Sequence, residues 1–480
     1  MVMSWRSVIG LCVDDFPSFL RQRGHAQEMD MWIRGKQGIG EESESGIYVP
    51  NPYRQTDEHV DLSTRSYTPW VGLVISSLAQ TMFLEGVRRG GAQENIKAYE
   101  VWQRNGWDAK QASIYRGALG HGIAFASALP GKDRLTGAAM PKLKAYSALT
   151  MAAWFDDDEE EFPLHAIEAK PFREQDGNFG WQVKFYDESA VYYLTCKGNG
   201  FEKKDWIPIS YEEHDLGVTP IVQYANLLDL DGRATGEVEP IIPVARRIDQ
   251  DSYDRLIVQR YGAWKIRYVT GLVKPKDMTE EQYRRGLQEL KVGDMLASPS
   301  HETKFGTLPE TQLDGFIAAR DADIRDLAAV TQIPPHHMLG TTPQMQPESL
   351  ASVNASLMAR SLERRTSFGE THERLFRLAA LQQGNMAEAQ AWDMQVRWRD
   401  SETRSLSQTA DALGKVATQL RVPVEMLWER IDGWTDSDTK RAKDLLENGT
   451  IDQLIADFEK NGLLGEGGAL GEKELAGAGA

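Results

Sequence analysis

The segment TQIPPHHMLG, Thr331 to Gly340, limits the fold more than any other stretch of this 480-residue chain. Pro334 and Pro335 lack amide donors and their rings clash with the preceding turn, so a helix running into them stops at about Ile333. Upstream, the pattern predicts a helix from Pro309, a favourable first-turn residue, with Leu313, Phe316, Ile317, Ile324, Leu327 and Ala328 on one side. Its other side is acidic, with Asp314, Asp321, Asp323 and Asp326. Downstream, Pro347-Glu348 opens a long helix predicted to reach Gln383, with Leu350, Val353, Leu357, Met358, Leu362, Leu375 and Phe376 as apolar positions. Gly340, Pro343 and Pro347 stretch the break to about fifteen residues, which suits a loop with a task of its own.

An earlier helix is predicted from Glu239 to Lys265. Val244, Ile248, Ser252 and Leu256 lie on one face with Tyr253, Ile257, Tyr261 and Trp264 beside them, while Arg246, Arg247, Asp249, Asp251, Asp254, Arg255 and Arg260 make the other face charged. Towards the N-terminus the reading is a helix over Ser18–Arg34, a polar glycine loop GKQGIGEESESG, and a helix with Val71, Val74, Ile75 and Leu78 on one face. A strand near Phe83–Val87 and two helices split at Asn105-Gly106 follow, with Gly120 and Gly122 closing the second. Short alternating runs such as WQVKFYD and AVYYLTC predict an antiparallel sheet between Leu143 and Asn226. After one late strand in AWDMQVRWRD, three helices are expected over Leu406–Gln419, Val424–Ile431 and Asp436–Lys460, then a glycine-rich disordered tail. The fold class is α+β, mainly α.

A chain this long exceeds one core, which stops growing at about 250 to 300 residues. The net charge of −17 argues against gripping phosphate backbones, though not against letting nucleic acid slide past. Two cysteines, Cys12 and Cys196, preclude a disulfide framework or a four-thiolate zinc site within one chain. The apolar run Val8–Val13 is too short for a secretory or spanning segment, and Ser76, Ser77 and Gln80 interrupt the window Pro69–Leu84, so no membrane association is expected.

Catalytic chemistry finds little support. The chain has no GxxxxGK[ST] phosphate loop, no HExxH and no GxSxG elbow. The carboxylate run Asp156–Glu161 lacks interleaved glycine or histidine and reads as a solvated turn. His336-His337 is the best ligand pair, yet adjacent side chains diverge and no third ligand stands at helical spacing. His214-Asp215 and His372-Glu373 read as surface or turn residues. No catalytic residue, metal or cofactor is assigned. The competing readings are a metal-dependent enzyme acting on nucleic acid, with Asp156 to Asp158 and His336-His337 holding the metal, and a structural ring protein.

The order of elements resembles that of the portal proteins of tailed bacteriophages, and more narrowly of long-tailed phages of Gram-positive hosts. The residues that carry the resemblance are EEHDLGVTPIVQYANLLDLDGRATGEVEPIIPVARRIDQDSYD, 212 to 254, with His214, Gly217, Pro220 and Asn226 in the family's passage before the first stem helix. TQIPPHHMLG, PESLASVNASL and QVRWRDSETRS add to it. The resemblance implies a ring, usually a dodecamer, at one capsid vertex of the virion, built from subunits made in the host cytoplasm. It implies partners: the major capsid protein, the terminase large subunit, a head-tail adaptor, and double-stranded DNA passing through. It implies a wing (1–235 and 348–401), two stem helices (236–265 and 309–332), a clip (266–308), a channel loop (333–347), crown helices (402–460) and a tail (461–480). Facing the DNA it would set His336, His337, Met338, Thr341, Thr342, Gln344, Met345 and Gln346 of the loop. Along the stem channel it would set Arg246, Arg247, Asp251, Asp254, Arg255, Asp314, Asp321 and Asp323.

Overall fold

The structure, a computed structural model, describes residues 2–35, 57–90, 93–94, 96–133, 136–156, 160–173, 179–198, 200–262, 267–270, 304–307, 312–340, 347–399, 406–428 and a few isolated positions. The chain divides into two compact units, Met1–Asp400 and Ser401–Ala480.

The first unit opens with α1 (Trp5–Arg34), which begins well ahead of the expected Ser18. Ser4 caps it by accepting the Ser7 amide, and Val8, Cys12, Phe16 and Phe19 bury one stripe, which outweighs the hydrogen bond that Pro17 forfeits. The polar glycine loop after it lies outside the described residues. Helix α2 (Asp57–Ser66) has no counterpart in the sequence expectation. Then come α3 (Trp70–Gln80), β1 (Leu84–Arg89), β2 (Gln93–Glu94), α4 (Ile96–Arg104) and α5 (Trp107–His121). Val71, Val74, Ile75 and Leu78 of α3 are buried as their spacing predicts, and Gly106 separates α4 from α5 in the left-handed region at φ 66°.

Strand β3 (Ile123–Leu129) comes ahead of the expected antiparallel region, which follows as β4 (Lys142–Ser147), β5 (Met151–Trp154), β6 (His165–Arg173), β7 (Phe179–Tyr186), β8 (Ala190–Lys197), β9 (Trp206–Glu213) and β10 (Ile221–Ala225). They form two sheets, ordered β10-β3-β4 and β5-β6-β7-β8-β9. One face of the larger sheet, with Ile167, Val183, Phe185 and Leu194, packs on α1. Helix α1 also covers the β5 edge, where the Gln22 amide donates to the carbonyls of Met151 at 2.7 Å and Ala148 at 3.0 Å. At the other edge β9 has no further strand among the described residues, and Trp206 is its one buried residue.

A small hairpin of β11 (Leu227–Leu228) and β12 (Ala234–Thr235) leads through a 3-10 turn at Glu239–Ile241 into α6 (Ile242–Gly262). Strands β13 (Arg267–Thr270) and β14 (Lys304–Thr307) pair antiparallel. Helix α7 (Asp314–Thr331), α8 (Pro335–Leu339), α9 (Pro347–Gln382) and α10 (Met386–Ala389) precede β15 (Met394–Trp398), which pairs with β1. Helix α7 starts at Asp314, later than the expected Pro309, which lies outside the described residues, as does the expected helix end at Lys265. In the second unit α11 (Leu406–Gln419) matches its expectation. The helix expected over Val424–Ile431 reduces to a 3-10 turn at Val424–Met426, directly after Pro423. Most of Asp436–Lys460, and all of the tail, lie outside the described residues.

The main core joins α3, α5 and α9, and His372 corrects the sequence reading: it is a core residue with no exposed surface. Its Nε2 lies 2.8 Å from the Tyr115 hydroxyl and its Nδ1 2.9 Å from that of Tyr224. Tyr115 donates to Gln111 Oε1 at 3.1 Å, and that oxygen is fixed by the Leu84 amide at 2.7 Å. Tyr115 is therefore left to accept from Nε2–H, and Nδ1 accepts from Tyr224. Burial pushes the imidazole pKa down to about 3, so this relay is uncharged. Replacing Tyr224 with Phe orphans the buried Nδ1 and is expected to cost about 1–3 kcal/mol; an unchanged denaturation midpoint would refute this.

Candidate functional site

The charged helices α6 and α7 lie side by side. Arg247 reaches Asp323 at 2.9 Å and Asp326 at 3.1 Å, and Ile248 faces a core shared with Ile324 and Leu327. Of the stem candidates, Arg247, Asp251, Asp254 and Asp323 gather here. Gln250 donates to Asp254 at 3.0 Å, and the Asp251 carboxyl is shifted up by burial, then by Asp323 and Asp254. Arg246 is exposed with its guanidinium 5.7 Å from the Trp32 ring centre, and Arg255 is half-buried. Asp314 is exposed and Asp321 half-buried.

One acidic residue of α6 is sealed in. Asp249 is buried and receives the Thr68 amide at 3.3 Å; burial raises its carboxyl pKa from 3.8 to about 7 despite that bond.

Helix α7 ends in a Schellman motif. The Ile333 amide bonds Ala328 O at 3.1 Å and the Gln332 amide bonds Ala329 O at 3.3 Å, with Gln332 at φ 56° and Ile333 buried. The helix thus stops where the prolines require, but the break is not loop throughout. Pro335, whose fixed φ suits a first helical position, starts α8, and Gly340 closes it at φ 64°. This turn separates the candidate side chains. Met338 is buried in the main core, which corrects its expected place facing DNA, whereas His337 is exposed and His336 half-buried. The two imidazoles stand edge to face at 4.4 Å, and burial, then His336, lowers the His337 pKa. No group of three potential metal ligands occurs among the described residues. Thr341, Thr342, Gln344, Met345 and Gln346 lie outside them.

Helix α9 grips this end of the pair. Arg360 donates both to the Thr331 carbonyl at the end of α7 and to Glu237 just before α6. Arg364 contacts Glu237 through Nε at 3.0 Å and Nη2 at 2.9 Å, Asn226 donates to it at 3.1 Å, and Ser356 donates to Gln332 O at 3.2 Å. Glu237 reaches this position because Gly236 passes hard against α5. A Cβ at Gly236 would stand 2.7 Å from Gly120 O, and the Glu237 amide bonds Leu119 O at 2.7 Å. Sequence reasoning missed Glu237, Arg360 and Arg364, since a carboxylate and arginines so far apart in the chain leave no local signature.

The sequence matches the family described as "Phage portal protein, SPP1 Gp6-like" over residues 16–452. The chain belongs to this portal family. It is 25% identical over 390 residues to the portal protein of Mycobacterium phage L5, covering 77% of this chain and 75% of that one. To the portal protein of Mycobacterium phage D29 it is 25% identical over 365 residues, covering 72% and 71%. Among solved structures it is similar to a chain of the neck of a native GTA particle computed with C12 symmetry. That likeness has TM-score 0.42 and 11% identity, over 77% of this chain and 89% of that one. No described helix is long and apolar enough to cross a membrane.

Two outcomes follow. Arg364→Met leaves the Glu237 charge under-compensated in the interior and should cost about 3–5 kcal/mol, with part recovered by adding Glu237→Gln; a denaturant double-mutant cycle reads the coupling. For Asp249, the folded carboxyl keeps its proton up to about 7 whereas the unfolded one releases it near 3.8, so this stabilisation is full at low pH and lost as pH rises through that window. Between about pH 5 and about pH 8 the midpoint of the wild type should fall relative to that of Asp249→Asn; parallel midpoints would contradict this.

Proposed function

We propose that copies of this portal-family chain assemble into a ring, a dodecamer, at one vertex of the capsid, and that double-stranded DNA enters and leaves the head through it. The role is structural rather than catalytic. The observation that carries the reading is the out-and-back path after α6. The chain leaves through β13 and returns through the antiparallel β14 to α7, while Arg247 ties α6 and α7 to each other. This suits a stem (236–265 and 309–332) bearing a clip (266–308) that docks the terminase large subunit and later the head-tail adaptor. The wing is then 1–235 and 348–401, and the crown 402–460 precedes the tail 461–480. Contact with the major capsid protein, a place in the virion and synthesis in the host cytoplasm belong to the same reading.

Side chains that one copy leaves uncovered support assembly: Ile317 and Val330 on α7 are 44% and 53% exposed, a poor arrangement for an isolated helix pair and a suitable one against a neighbour. The channel is proposed to draw on Asp251, Asp254, Asp314, Asp321 and Asp323, with Arg247 largely neutralised by Asp323 and Asp326. Carboxylates repel phosphate, so duplex meets few adhesive sites in transit. The loop 333–347, with His336 and His337 on α8, is proposed to line the narrowest part.

Negative-stain images of the purified chain should show rings with a central hole; compact monomers under assembly conditions would overturn the reading. A chain lacking 266–308 is expected to form rings that no longer bind terminase or adaptor.

A further inference from the structure

A local surplus of positive charge lies on the sheet face opposite α1. Glu168 is 2% exposed and receives Lys144 and Lys170, each at 3.0 Å, and the Tyr186 hydroxyl at 2.8 Å, with Lys184 at 4.0 Å. Lys144 also lies 4.3 Å from the Tyr146 ring centre and Lys184 5.2 Å from that of Tyr193. Three ammonium groups thus share one buried carboxylate. They are held in place from beneath, remain partly exposed, and have N–H donors to spare. This surplus belongs to a chain of net charge −17.

The same sheet carries an unfinished edge. On β9, Ile207, Ile209 and Tyr211 are 43%, 64% and 46% exposed, and Glu212 and Glu213 at its end are exposed as well. Tyr193 donates to Glu212 at 3.0 Å and steadies it. Pro208 blunts but does not cover this edge, and α1 closes the opposite one. An edge that is both apolar and acidic lies uncovered, two strands from a face that is basic.

We propose that in the assembled ring the β9 rim of one copy docks on the lysine face of the next, with Glu212 meeting Lys144, Lys170 and Lys184, Ile207 of the same strand face buried beside it, and Glu213 on the opposite face adding to the acidity of the rim. The proposal rests on the ring reading. A closed ring uses two different surfaces of the same chain, one complementary to the other, and this sheet bears such a pair. Acidic copies repel one another at a distance, so a contact of opposite sign has to be built into their interface. Duplex DNA fits less well, because it rewards a row of cations and gains nothing from an apolar rim.

The test uses the full chain. Lys170→Glu/Lys184→Glu and Glu212→Lys/Glu213→Lys should each lower the ring fraction about tenfold or more at low salt, and the chain carrying all four changes should recover it. Light scattering with negative-stain imaging reads the assembly, and circular dichroism verifies folding. Because Cys12 and Cys196 are buried, Lys170→Cys/Glu212→Cys gives an independent readout: oxidised rings should run as a ladder of linked subunits. Wild-type-like assembly of either charge-reversed pair overturns the proposal, as does the absence of a ladder from rings that do form. So does a lysine variant that keeps its rings but loses duplex binding. If the wild type forms no rings, the portal reading itself fails.

Discussion

A single carboxylate, Glu237, sets the relation between the parts of the first unit. Buried beside Arg360 and Arg364, it joins the approach to α6, the end of α7 and the middle of α9 at one point. A buried ion pair is a doubtful source of net stability, since desolvating both charges offsets most of their attraction. Its value here is geometric: Arg360 satisfies Glu237 and the Thr331 carbonyl together only when the charged helix pair holds one position against α9.

The conformity of the break after α7 follows from that constraint. The Schellman stop, the buried Ile333 and the inward Met338 anchor the start of the break to the core. The half-buried His336 and exposed His337 are carried on α8, a turn that starts at Pro335 and closes at Gly340. Two hydrogen bonds from α9, Ser356 to Gln332 O and Arg360 to Thr331 O, hold the end of α7 immediately before α8.

Elements governed by local pattern were legible in the sequence. The α3 stripe, the Asn105-Gly106 division, the antiparallel runs, the break at Pro334 and the long helix from Pro347 all follow from periodicity or backbone sterics. What escaped depends on tertiary context. The first turns of α1 hold because a sheet made of residues more than a hundred positions away buries Val8 and Cys12, which overrides Pro17. His372 sits on a mixed stretch of α9, and only Tyr115 and Tyr224, brought in from α5 and β10, make it an interior residue. For the candidate site, the element order and the family resemblance pointed to α6, α7 and the break, but could not separate the inward Met338 from its exposed neighbour His337. Nor could they tell Asp249, sealed in, from Asp251 two residues on.

The partners that close the core are remote in the chain: Glu237 and Arg364 are 127 residues apart, and Tyr115 and His372 are 257 apart. Helix α9 supplies the later member of both pairs. During synthesis the earlier members emerge first, and their partners on α9 become available only after residues beyond about 370 have left the ribosome. A chain interrupted before residue 360 lacks both arginines and the imidazole, which leaves Glu237, Tyr115 and Tyr224 without these partners.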